Sequence, residues 1–284
     1  MRSARPLTII VSLCLASALC AAAEPVKVVE MGYCPVWTPD GGTLVYGSAG
    51  REEENVWAVD LEDLSARALT AGGGFHPAVS PDGTALAYDS RGATGAVYRR
   101  PLGGGEAKRI TPNGMTGNFS CWTPDGSRIF FCAEGDIWSV LSDGGEAVPF
   151  RTPGPNDLRP AISPDSRRVA FDSAGSGPDA ARDIWILELA GHTYTNLTDA
   201  PSHDIQASWS PDGSRIAFAS DRSGNLDVWI MARDGSDPVQ VTRHEGRDVW
   251  PRWSPDGSKI AFGSDRDGAF GIWIVELEPP SAED

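Results

Sequence analysis

Trp209-Ser210-Pro211-Asp212-Gly213 and Trp253-Ser254-Pro255-Asp256-Gly257 are two copies of one phrase. The chain repeats it at Trp37 to Gly41, Val79 to Gly83, Trp122 to Gly126 and Ile162 to Ser166. The six prolines are 42, 43, 40, 47 and 44 residues apart, a period that suits a four-stranded propeller blade and not a shorter helical repeat. Proline presets φ at the first corner of a turn, aspartate bonds the backbone at the second, and glycine takes the left-handed φ that follows.

Each turn lies between short apolar strands, the second being Leu44 to Tyr46, Leu86 to Tyr88, Ile129 to Phe131, Val169 to Phe171, Ile216 to Phe218 and Ile260 to Phe262. A third strand carries an aromatic: Trp57, Tyr98, Trp138, Trp185, Trp229 or Trp273. A fourth is read at Ala68-Leu69-Thr70, Arg109-Ile110-Thr111, Asn196-Leu197-Thr198 and Gln240-Val241-Thr242, with Val148-Pro149-Phe150 in the third unit. The sixth unit ends without one, but Val26-Lys27-Val28-Val29 stands before the first turn as a fourth strand should. The expected fold is therefore an all-β, six-bladed propeller with four antiparallel strands per blade, closed by the N-terminal strand joining the last blade. Closure leaves no long unpaired edge in water.

Composition agrees: 32 Gly, 22 Pro and 10 Trp beside 4 Met favour turns and strands over long helices. The 24 Lys and Arg against 39 Asp and Glu give a net charge of −15, which argues against nucleic-acid binding through phosphate contacts. Residues 1–23 have Arg2 and Arg5, an apolar run from Leu7 to Leu19, and Ala21-Ala22-Ala23 before Glu24, the pattern of a secretory signal peptide. That run is too short to span a bilayer, so no membrane insertion is expected. Domain organisation is read as 1–23 signal peptide and 24–284 propeller, periplasmic or secreted and monomeric. Three cysteines follow the leader, Cys34, Cys121 and Cys132, read as small buried hydrophobes whose disulfide state the spacing leaves open.

The turn at Trp209 to Gly213, followed by Arg215 through Ser220-Asp221-Arg222 to Val228-Trp229, resembles the repeat of TolB-type propellers. Related repeats occur in the propellers of prolyl oligopeptidases and dipeptidyl peptidases. The likeness covers essentially all of 24–284. It implies an exported propeller; TolB has a separate α/β domain ahead of its propeller, for which this chain has no room, so a place in the Tol–Pal system does not follow.

Candidate site residues come from loops that open on one face of such a ring. Seven positions before each repeat proline stand Gly32, Gly74, Gly117, Asp157, Asp204 and Asp248, so three consecutive blades place an acid near the channel rim. This arc is read either as a seat for a divalent cation or a basic peptide group, or as local turn caps. Two positions on lie Cys34, His76, Phe119, Arg159, Gln206 and Trp250, with His203 and His244 in the loops of blades five and six. Aromatic and arginine side chains dominate interface energies, so such a rim suits a protein or peptide partner. Ser220-Asp221-Arg222 and Ser264-Asp265-Arg266 are read as salt bridges between neighbouring blades.

No cofactor is expected. Some propeller lyases hold a metal at the channel mouth with His and Gln, which the resemblance would place at His76 and Gln206, but HxH and HxxxH spacings are absent. The GxSxG elbow is absent too. The expected function is an exported, non-catalytic scaffold for a protein or peptide partner in the cell envelope. The alternative is a metal-dependent carbohydrate-active enzyme, lyase or hydrolase, using the channel mouth.

Overall fold

The computed structural model describes residues 23–48, 54–90, 95–150, 157–174 and 180–278. The signal-peptide reading of 1–23 falls, but for Ala23, outside them. The described strands make six four-stranded antiparallel sheets, each unit of the repeat being one sheet in simple up-and-down order. The innermost strands are Gly32–Trp37, Phe75–Val79, Asn118–Trp122, Leu158–Ile162, Asp204–Trp209 and Asp248–Trp253. Each of them touches the innermost strand of the next blade, and the last touches the first, so the ring is closed. Val26–Val29 is the outer strand of blade six, pairing antiparallel with Gly271–Glu276 from Val26 opposite Ile274 to Val29 opposite Ile272. The expected closure by the N-terminal strand is observed.

All six repeat turns solve their hydrogen bonding alike. The Ser or Thr before the proline donates its hydroxyl to the turn aspartate, as Ser210 does to Asp212 and Ser254 to Asp256, both at 2.6 Å. The same hydroxyl accepts the backbone N–H five residues on, and the aspartate accepts the N–H two residues beyond itself. The glycine that follows lies at φ between 68° and 74° in five blades. In blade four that position is Ser166, at φ 58°. A β-carbon built at Gly83 would reach 3.4 Å from Pro39 Cδ, and one at Gly213 3.5 Å from Pro164 Cδ, so each turn rests on the proline of the preceding blade.

The core lies between blades. The second-strand aromatics Phe131, Phe171, Phe218 and Phe262 are fully buried, and Tyr46 and Tyr88 nearly so. Each apolar cluster draws on two adjacent sheets; Tyr46, Leu44 and Val59 of blade one, for instance, pack on Ala261 and Ile272 of blade six. Burying one such phenyl ring contributes about 2–3 kcal/mol. Three repeat tryptophans also donate Nε1–H to the preceding blade's innermost strand at 3.0 Å: Trp37 to Arg252, Trp122 to Ala78 and Trp209 to Ala161.

The outer strands stop earlier than the sequence reading placed them. They end at Ala68, Arg109, Asn196 and Gln240, just before the Leu-Thr, Ile-Thr or Val-Thr pair. In blades one, four and five the threonine turns inward, and its Oγ1 accepts an N–H within the first three residues of the third strand: Val56 to Thr70 and Ile184 to Thr198 at 2.9 Å, Val228 to Thr242 at 3.0 Å. A side-chain acceptor thus replaces the next ladder bond and the strand stops.

Two outcomes follow from the turns. Ser166→Gly should raise stability by about 1 kcal/mol and Gly213→Ala lower it by a similar amount, read from urea or thermal unfolding, because only glycine takes this φ without cost. The hydroxyl and amide donors around Asp82, Asp125 and Asp256 hold these carboxyls down at about 2. An unfolded aspartate titrates near 3.9, so the stability these groups supply is complete above that pH and is lost as pH falls toward about 2. The triple Asn variant should lose part of the acid-induced decline in Tm over that window.

Candidate functional site

Every innermost strand carries a β-bulge: the register shifts between Tyr33 and Val36, Phe75 and Ala78, Asn118 and Cys121, Leu158 and Ala161, Ile205 and Ser208, and Val249 and Arg252. At each shift one residue is left-handed: Cys34 at φ 50°, His76 at 42°, Phe119 at 51°, Arg159 at 56°, Gln206 at 64° and Trp250 at 54°. None is glycine, so each conformation costs on the order of 1 kcal/mol. The six are the set singled out two positions beyond the Gly/Asp column, and the bulge is what gathers them at the axis.

Four of these residues donate their backbone N–H to the neighbouring blade, to acceptors of three kinds: carboxylate, thiol sulfur and side-chain amide. Phe119 donates to Asp89 Oδ1 at 3.3 Å, Arg159 to Cys132 Sγ at 3.1 Å, Gln206 to Asp172 Oδ1 at 3.2 Å, and Trp250 to Gln206 Oε1 at 2.8 Å. Gly47 and Gly263 stand in the same second-strand column as Asp89, Cys132 and Asp172; a β-carbon at either would strike an aromatic ring, Tyr33 at 2.6 Å or Trp250 at 2.8 Å.

The buried acids of that column also hold the side chains. His76 Nδ1 lies 3.0 and 3.2 Å from the Asp89 carboxylate. Asp172, fully buried, takes Arg159 Nη1 at 2.8 Å and Arg182 Nε at 2.7 Å. An arc of rings then runs round the mouth. Phe270 and Trp250 are 5.4 Å apart, Trp250 and Tyr33 5.7 Å, Tyr33 and His76 6.2 Å, His76 and Phe119 3.9 Å, and the Arg159 guanidinium lies 5.0 Å over Phe119. All six residues are half-buried. Beside the arc a hollow of about 640 Å³ is bordered by Tyr33, His76, Asp89, Glu134, Asp157 and Trp250.

The acidic arc is built differently from its reading in the sequence. Asp157, Asp204 and Asp248 are wholly buried. Arg222 reaches back to Asp204 at 2.9 Å and Arg266 to Asp248 at 2.8 Å. Each pair lies within one blade, so the expected bridges between neighbouring blades are not what forms. The loop from second to third strand returns over the entry to its own first strand, which puts the two charges side by side. Arg222 also covers Phe218 and Trp229, Arg266 covers Phe262 and Trp273, and each guanidinium donates Nε–H to the serine two residues earlier. The carboxylates of Asp204 and Asp248 thus face arginines, not an open seat for a cation. In blades one and three, glycine holds the same position because a β-carbon would lie 2.7 Å from Tyr46 or Phe131.

His203 and His244 are exposed and stand apart from the channel set. The backbone N–H of His203 donates to Asp221 at 2.7 Å, and His244 Nδ1 accepts the N–H of Gly246 at 2.9 Å. The sequence carries a partial echo of the Ser-Asp-Arg triplet at Asp89-Ser90-Arg91; Arg91 lies outside the described residues, and Asp89 pairs with His76. Among the described residues no three His, Cys, Asp or Glu side chains are grouped as metal ligands. Cys34, Cys121 and Cys132 are free thiols. The sequence marks Asp89 only as part of a Ser-Asp-Arg echo and gives no sign by motif of Asp172 or Arg252. The signal was present in columns: the residue after each second-strand aromatic reads Gly47, Asp89, Cys132, Asp172, Ala219, Gly263, and an acid among small residues there marks a charge facing the ring of bulges.

The buried pairs predict a cost. Asp204→Ala should lower stability by about 3 kcal/mol, since removing one partner strands the other charge, while Asp204→Ala with Arg222→Met should recover part of that loss. Chemical unfolding of the three proteins measures both.

The TolB beta propeller domain family model matches residues 150–277. An uncharacterized protein of Agrobacterium fabrum, Atu1656, is 30% identical over 184 residues, 62% of this chain and 61% of that protein. A TolB homolog of Chlorobium chlorochromatii is 30% identical over 139 residues, 47% of this chain and 32% of that protein. The chain therefore spans less than two thirds of the length of either relative. The solved structure of a putative TolB from Agrobacterium tumefaciens superposes with a TM-score of 0.71 at 22% identity, over 78% of this chain and 87% of that one. Repeat, closed ring and these matches together show a six-bladed propeller that is similar to the TolB propellers in sequence repeat and in fold.

Proposed function

We propose that the chain is an exported, non-catalytic propeller scaffold whose channel mouth receives a protein or peptide partner in the cell envelope. The observation that carries this reading is the arc from Phe270 through Trp250, Tyr33, His76 and Phe119 to Arg159. Rings and guanidinium are fixed by backbone and buried acids before any partner arrives, so little side-chain entropy is lost on contact. Aromatic and arginine side chains are also the residue types that most often dominate binding energy. The arc lies beside a hollow of about 640 Å³ able to take a projecting segment. His203 and His244, on exposed loops, would contact the partner outside the mouth, while Asp157, Asp204 and Asp248 would act by holding the rim in place.

Periplasmic or secreted residence rests on the leader pattern in the sequence and on likeness to TolB-type proteins. The pairing of His76 Nδ1 with Asp89, and of Gln206 Oε1 with the Trp250 N–H, gives both residues structural work, which supports the scaffold reading over the lyase-like one.

Capture from an envelope extract with the immobilised mature protein should yield a partner that Trp250→Ala weakens at least tenfold, the cost of one central aromatic contact. His244→Ala should change capture little. If Trp250→Ala, with an unaltered circular dichroism spectrum and Tm, retains the full capture, the mouth is not the binding surface.

A further inference from the structure

The bulges leave a second, deeper space on the axis. Below the ring of left-handed residues a cavity of about 340 Å³ runs to the prolines of the repeat turns, Pro81, Pro164, Pro211 and Pro255 among them. The residues three positions before each repeat proline all line it: Val36, Ala78, Cys121, Ala161, Ser208 and Arg252. Five are small and uncharged. The sixth is an arginine.

Arg252 is half-buried in this cavity. Of its five N–H groups, one has a recorded acceptor among the described residues, Nη1 donating to the Pro251 carbonyl at 3.0 Å. The cavity's other arginine, Arg159, is engaged by Asp172. The charged and titratable groups acting on Arg252 are Cys34, Cys121 and Arg159, with no carboxylate among them. Burial pushes the thiols of Cys34 and Cys121 up to about 12, so at neutral pH neither is an anion that could balance it. A guanidinium that faces a narrow channel with no anion beside it has a bidentate carboxylate as its natural complement.

We propose that this cavity binds an aliphatic carboxylate, its oxygens held by the Arg252 guanidinium and its hydrocarbon part against Val36, Ala78 and Ala161. Arg252 is the lining cation with no carboxylate beside it, and a single guanidinium fork matches a planar carboxylate better than a tetrahedral phosphate dianion. The volume is at the small end of ligand sites and holds a short acid or one acidic side chain. The site does not depend on the partner-binding reading, since a free acid could fill it in a protein with no macromolecular partner.

Titration calorimetry on the mature protein tests it, with butyrate, butan-1-ol and inorganic phosphate as probes. Butyrate should bind with Kd near 1 mM, on the order expected for six heavy atoms. Butan-1-ol and phosphate should bind at least tenfold more weakly. Arg252→Met should weaken butyrate at least tenfold without changing the weak response to butan-1-ol, and Arg252→Lys should fall between. The comparison of probes on the unaltered protein stands even if a variant does not fold. Equal affinity for butyrate and butan-1-ol, tighter binding of phosphate, no heat from butyrate, or full butyrate affinity in a folded Arg252→Met protein would each overturn the proposal. Given butyrate binding, displacement by N-acetyl-Gly-Glu-Gly-amide but not by its Gln counterpart identifies a partner's side chain as the natural source. Failure of both peptides to displace it identifies a free acid, with the site upheld in either case.

Discussion

A closed ring of twisted sheets crowds its innermost strands against one another, and here that crowding is relieved by one backbone device used six times. At the same position of every blade an extra residue enters the strand in a left-handed conformation. The sterically unfavourable φ persists because the N–H it turns outward finds an acceptor on the adjacent blade, where this is seen for Phe119, Arg159, Gln206 and Trp250. Local cost is thus exchanged for contact between sheets that share no ladder hydrogen bonds. The same rotation aims a side chain at the mouth and, two residues on, another at the axis. Both the aromatic arc and the cavity beneath it are products of that single distortion.

How much of this the sequence discloses depends on whether the cause is local. The repeat turn is local: Ser or Thr, Pro, Asp and Gly each serve a separate torsion or hydrogen bond within five residues, so blade number and closure can be read directly. The left-handed bulge is not, because Cys, His, Phe, Arg, Gln and Trp share no intrinsic taste for positive φ. What selects them is space and acceptors on a neighbouring blade. The outer strands stop early for a reason that is half local, a threonine whose hydroxyl competes with the ladder. The pairing of Asp204 with Arg222 is not local either: it is set by the return path of the loop from second to third strand, which residue spacing does not disclose.

Comparing the six blades column by column recovers what single residues conceal. Where a column is uniform, as at the turn aspartates, it describes the scaffold. Where a column breaks, the broken position describes either a neighbour or a ligand. Glycine for aspartate before the first strand reflects the ring of Tyr46 or Phe131 filling the space. Asp89 and Asp172 among small residues reflect His76 and Arg159 opposite. Arg252 among Val, Ala, Cys, Ala and Ser has no such neighbour, and that difference separates a structural explanation from a chemical one.

The outer strand of blade six has a consequence for the order of assembly. Val26 must meet Ile274, so the pairing that finishes the molecule joins segments lying 248 positions apart in the chain. Contacts of such sequence distance are the slowest to form, because the intervening polymer must already be compact before its ends can find each other. A polypeptide delivered head first would present these four residues long before their partner exists. Until the tail arrives, blade six keeps an open flank, and during that interval the protein is most exposed to association with another copy of itself.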